Sequence, residues 1–130
     1  MYSENELTDI LSRLRALPAE TEVAEFKKAK NGFGDDELGQ YFSALSNEAN
    51  LKSIPYAWLV FGIDDKTHEV LGSNYKQTRP SLDAMKKAIA DQTTSRITFE
   101  EIYTLKYDGK RVVMFQIPAA PQGMPIAYQG

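Results

Sequence analysis

The sequence predicts an α+β domain, a mixed and largely antiparallel sheet carrying about three packed helices. Three observations carry that expectation: apolar stripes at helical spacing in three separate segments, a nearly continuous apolar run at Tyr56–Ile63, and an Asp108-Gly109 turn between two β-rich runs. Taken in order, the elements read α-β-α-β-β-α-β-β. That is the pattern of helices layered on a sheet.

The first helix is signalled by Ser3 and Glu6, whose S-x-x-E spacing is that of a capping box. Leu7, Ile10, Leu11, Leu14 and Leu17 follow on one face, and Pro18 stops the run, so the helix is expected over residues 4–17. A short strand is expected over residues 20–27, ending in the turn-prone Asn31-Gly32-Phe33-Gly34. Asp35 and Asp36 are placed to cap a second helix with Leu38, Phe42, Leu45 and Ala49 on its apolar stripe.

The run Tyr56–Ile63 is apolar at nearly every position, which fits a central strand buried on both faces. Asp64-Asp65-Lys66-Thr67 reads as a turn and Glu69–Gly72 as a short returning strand. Pro80 suits the first turn of a third helix, striped by Leu82, Met85, Ala88 and Ile89 and ending near Thr93. Residues 97–107 and 110–117 then form a hairpin about Asp108-Gly109. The tail from Pro118 to Tyr128 is extended, and the chain reads as a single domain, 1–130, that is a piece of something longer.

Composition narrows the chemistry. The chain has 130 residues and no cysteine, which excludes disulfides, thiolate metal sites and a cysteine nucleophile. No segment resembles a signal peptide or a membrane span, so a cytoplasmic protein without membrane association is expected. The net charge of -3 is unlike that of a broadly basic nucleic-acid coat, so any such binding must use local patches.

Nucleotide hydrolysis lacks its motif, since Gly32-Phe33-Gly34 is followed by Asp35-Asp36 and not by a lysine. The single histidine, His68, reads as a solvated loop residue. The acidic set Glu20, Glu22, Glu25, Asp64 and Asp65 has two readings: a site for magnesium or manganese, or a solvated strand edge followed by an ordinary turn. Lys27, Lys28 and Lys30 form one basic cluster, and Lys76, Arg79, Lys86 and Lys87 a second. They are either a phosphate-binding face or solubilising decoration.

A set of ordered motifs adds to this reading. Glu20-x-x-x-x-Glu25-Phe26-Lys27, Ala44-Leu45-Ser46-Asn47, Trp58–Asp65, Glu69-Val70-Leu71-Gly72 and Val112–Pro118 together resemble the Schlafen/Alba-like domain family from about Glu20 to Tyr128. The resemblance implies a nucleic-acid-binding module at the N-terminus of a longer transcriptional-regulator-like protein, whose C-terminal domains would be its covalent partners; in that reading the basic residues Lys27, Lys28, Lys30, Lys76 and Arg79 touch phosphates and no cofactor is required. It also implies an alternative, a magnesium- or manganese-dependent endoribonuclease whose catalytic and metal-binding residues are Glu20, Glu25 and Asp64, or Asp65 in place of Asp64. Homodimerisation is a further implication, and a non-catalytic assembly role a third reading.

Overall fold

A computed structural model describes residues 1–16 and 23–129. Helix α1 (Glu4–Ala16) is closed by the expected capping box: the Ser3 amide donates to Glu6 Oε1 at 2.9 Å and the Glu6 amide to Ser3 Oγ at 3.2 Å. Strand β1 (Val23–Lys27) follows, and the first residues of the strand expected here, Glu20 to Glu22, lie outside the described residues, as do Leu17 and Pro18. Helix α2 spans Asp35–Leu51. Its N-cap is Gly34, and Asp35 and Asp36 sit inside the first turn, where their charges face the positive end of the helix dipole without accepting a capping hydrogen bond.

Strand β2 (Tyr56–Phe61) is buried on both faces, as its composition requires. The returning strand expected at Glu69–Gly72 does not form, and only a single bridge joins Ile63 to Val70. The reason lies at Gly62, whose φ of +100° turns the chain out of the ladder, so that the amides of Leu71 and Gly72 both bond to its one carbonyl at 2.8 and 2.9 Å. The element order is therefore α-β-α-β-α-β-β, with one strand fewer than the sequence suggested.

Helix α3 (Arg79–Asp91) starts at the N-cap Thr78, whose side chain accepts from the Ser81 amide, with Pro80 in the first turn. It stops at Asp91, short of Thr93. Strand β3 (Glu101–Tyr107) begins later than the β-rich run, because residues 94–96 form a 3-10 turn and Phe99 leaves the edge to pack against Phe42 and Phe115 at ring distances of 4.8 and 5.3 Å. Asp108 and Gly109 turn with φ of 50° and 75°, as a two-residue hairpin demands, into β4 (Lys110–Pro118).

The sheet order is β1-β2-β4-β3, with β1 and β2 parallel and the other pairs antiparallel. The parallel pair needs a crossover, and α2 supplies it. Alternate residues of β2 then serve two cores. Ala57, Leu59 and Phe61 meet α2 and α3, while Trp58 and Val60 meet α1. The result is an α+β domain of three layers, one helix below the sheet and two above it.

After β4 the chain is a strap laid across α2 and α3. Asn47 grips it twice, its side-chain amide donating to the Ile126 carbonyl and its oxygen accepting from the Ile126 amide, both at 2.9 Å. Ser46 donates to the Pro118 carbonyl at 2.7 Å, and the Tyr128 ring lies on Gly39, leaving no room there for a Cβ. The Leu45-Ser46-Asn47 motif thus acts in the middle of α2 as a docking row for the strap.

Candidate nucleic-acid interface

Lys27, Lys28 and Lys30 follow β1 out of the sheet at the end where β2 also leaves it. Four chain segments are tied together there around Gly62: its amide bonds to the Lys27 and Lys28 carbonyls, the Asn74 amide to the Lys30 carbonyl at 2.7 Å, and the Ser73 amide to the Arg111 carbonyl at 2.8 Å. The Ser73 hydroxyl adds a bond to the Ala29 carbonyl at 2.6 Å. A Cβ at Gly62 would lie 3.1 Å from the Gly72 backbone and 3.2 Å from the Arg111 carbonyl, so glycine is required both by φ and by space.

Arg111 is the hub of this end. Its guanidinium donates to the carbonyls of Ser73, Tyr75 and Lys76 at 3.0, 2.7 and 3.0 Å, and its burial lowers its pKa from the usual arginine value. Between these segments is a groove of about 240 Å³ lined by Lys30, Leu71, Gly72, Ser73, Asn74, Lys110 and Arg111. No carboxylate among the described residues lines it. Lys30 is exposed, Lys110 reaches the Val70 carbonyl at 3.3 Å, and Lys76 adjoins the groove through its backbone.

The remaining sequence candidates stand apart from the groove. Lys27 projects to the α2 side, its ammonium 4.6 Å from the centre of the Tyr41 ring and 3.8 Å from Glu25, and the interaction with Tyr41 holds its pKa above the ordinary lysine value. Lys28 is exposed at the same end, 3.5 Å from Asp64 Oδ2. Arg79 lies toward the opposite end of the sheet, bound to Asp83, Glu101 and the Ile102 carbonyl. Lys110 and Arg111 were not singled out from sequence, although the Asp108-Gly109 turn fixes them at the start of β4. What the sequence does not reveal is that β4 runs beside β2, which brings them to Lys30.

The acidic candidates divide differently. Glu20 is outside the described residues. Glu25 is half-buried on β1, opposite Leu59. Asp64 Oδ1 accepts the amides of Lys66 and Thr67, both at 2.8 Å, and these bonds, with Lys28 beside Oδ2, bring its pKa down to about 2. The carboxylate closes the turn and pairs with a lysine, and Glu25 likewise faces Lys27. Among the described residues no three carboxylates or histidines group to hold a metal ion.

His68 departs from its expected solvated state. Its φ is 60°, its Nδ1 is 2.9 Å from the Arg15 carbonyl, and its ring meets Phe26 edge-on at 4.6 Å, so it ties the loop to α1. Among the described residues no helix is long and apolar enough to cross a membrane.

The Schlafen, AlbA_2 family description matches residues 20–130. Two solved structures share the fold. The DIP2311 protein from Corynebacterium diphtheriae is 17% identical with a TM-score of 0.58, over 94% of this chain and 23% of its own. The N-terminal domain of a protein from Nitrosomonas europaea, described as related to the ATP-dependent DNA helicase RecG, is 20% identical with a TM-score of 0.52, over 93% of this chain and 76% of its own. No curated protein matches the sequence.

Proposed function

Since the chain belongs to the Schlafen, AlbA_2 family, we propose that it is a nucleic-acid-binding module that grips the sugar-phosphate backbone through the groove at the Gly62 end of the sheet. The observation that carries this reading is the groove itself: Lys30, Lys110 and Arg111 converge on one concave surface with no carboxylate among the described residues of its wall, in a chain whose net charge is negative. Local convergence is what such a chain needs, because a phosphate is attracted by the nearest charges within about 10 Å and not by the sum over the molecule. Lys76 adjoins the groove through its backbone, and Lys28 is exposed at the same end of the sheet beside Asp64. The kinship of a structural neighbour with a DNA helicase supports the same class of ligand.

Binding is favoured over cleavage. In the ribonuclease alternative, magnesium or manganese would be held by Glu20, Glu25 and Asp64, yet one oxygen of Asp64 is already bonded to two amides and both described carboxylates face lysines. The proposed module needs no metal.

The test is fluorescence anisotropy of labelled DNA and RNA across a salt series, with and without magnesium or manganese, followed by sizing of the recovered probes. Expected is metal-independent binding that weakens with salt, and a Lys30→Glu/Lys110→Glu variant that binds at least about tenfold more weakly at low salt with a shallower salt slope. Unchanged binding by that variant would remove the groove from the interface. RNA shortened only with metal would establish the ribonuclease reading instead.

A further inference from the structure

The opposite end of the sheet holds a second recess, of about 470 Å³, beside the first residue of β2. Its walls are formed by Met1, by Tyr2, Tyr56 and Tyr103, by Glu6, Glu100 and Glu101, and by Gln116. Among the described residues no lysine or arginine lines it, and the Met1 terminus stands at its edge. Tyr2 and Tyr103 face each other at 6.2 Å and both lean on Trp58, at 5.9 and 6.2 Å, so their orientation is fixed by packing.

Gln116 is the polar group that this arrangement leaves incomplete. It is 4% exposed, and its Oε1 accepts from the Tyr103 hydroxyl at 3.2 Å, which in turn accepts from the Tyr2 amide at 3.1 Å. The chain of donors fixes the amide with its nitrogen left over, and that nitrogen has no partner among the described residues. The nitrogen opens on the recess, where solvent or a ligand can supply its acceptor. The carboxylates are unevenly committed. Glu6 accepts from the Ser3 amide, Glu101 takes Arg79 and the Ile102 amide, and the exposed Glu100 side chain has no partner among the described residues.

We infer that this recess binds a basic side chain, arginine or lysine, presented by a peptide segment. The tyrosine faces and the carboxylates both attract an organic cation, and desolvation between rings strengthens the attraction. The Gln116 nitrogen then donates to a carbonyl of the peptide backbone beside that side chain, which a free cation could not offer. A nucleotide is disfavoured, because its phosphate would approach three carboxylates. The recess shares no residue with the basic groove, so the two assignments fail or stand independently.

Trp58 is the chain's single tryptophan and touches two of the tyrosine walls, so its fluorescence reports occupancy. The titrants are acetyl-Gly-Arg-Gly-amide, its citrulline counterpart, methylguanidinium and guanosine. Expected is a saturable change with the arginine peptide, weakened at least about threefold by Glu100→Gln and by Gln116→Met. Methylguanidinium should bind more weakly and be indifferent to Gln116→Met. Glu100 is exposed, so its variant tests the site even if Gln116→Met disturbs folding. An equal response to the citrulline peptide, a response to guanosine alone, or no saturable change would each overturn the inference, and methylguanidinium binding as tightly as the peptide would overturn the role of Gln116.

Discussion

Where β2 enters the sheet, at Tyr56, its neighbours are tyrosines, glutamates and a buried glutamine. Where it leaves, at Phe61, they are lysines, an arginine and a row of bonded backbone carbonyls. The same strands supply both ends, so the difference is not one of architecture. The acidic end is shaped by packed rings whose positions are set by Trp58, whereas the basic end is shaped by loops held through hydrogen bonds to the main chain. One is built from side chains and tolerates their exchange; the other is built from backbone and depends on a few residues that permit it.

That contrast can be broken most severely at Gly62. Gly62→Val places a β-branched side chain at φ +100° against the Gly72 backbone and the Arg111 carbonyl, and is expected to cost about 3 kcal/mol or more in denaturant unfolding, with loss of nucleic-acid binding. A variant with wild-type stability would show that the loops do not need this crossing.

A matched pair sharpens the comparison. Arg111→Met strands three carbonyls and should destabilise by about 2 kcal/mol, whereas Gln116→Met deletes one side-chain hydrogen bond and should cost about 1 kcal/mol or less. Equal losses by urea denaturation would mean that the acidic end relies on its polar network as much as the basic end does.

The smallest effect is pH-dependent. Because the carboxyl of Asp64 titrates near 2 in the folded chain and near 3.8 when unperturbed, its contribution to stability is present above about pH 4 and is lost as pH falls through 2. Asp64→Ala should therefore lower stability slightly at neutral pH and by a shrinking amount as the pH falls through 2 and below, read as a flatter acid limb in a thermal-unfolding series.

Much of this architecture is legible from local pattern. The capping box at Ser3 and Glu6, the buried run of β2 and the Asp108-Gly109 turn each act within a few residues, and each appears where the sequence places it. What local pattern missed was non-local. The segment Glu69–Gly72 has the composition of a strand, but Gly62 draws the amides of Leu71 and Gly72 to its single carbonyl, a bond that no periodicity encodes. The candidate site was half legible for the same reason. Lys28 and Lys30 stand at the groove end because they follow β1, but Arg79 is drawn to Glu101 and Lys110 enters from a strand far along the chain. The three helices and the sheet follow from spacing; the groove follows from strand order.

The strap across α2 and α3 has a consequence in time. The Asn47–Ile126 bonds join residues 79 positions apart, so they close one of the largest loops in the chain, and their entropic cost leads us to expect them to form after the sheet and α2. The strap is thus a latch on a finished assembly: its amides become slow to exchange with solvent only after everything beneath them has folded, and the Ile126 proton is the natural clock for that last step.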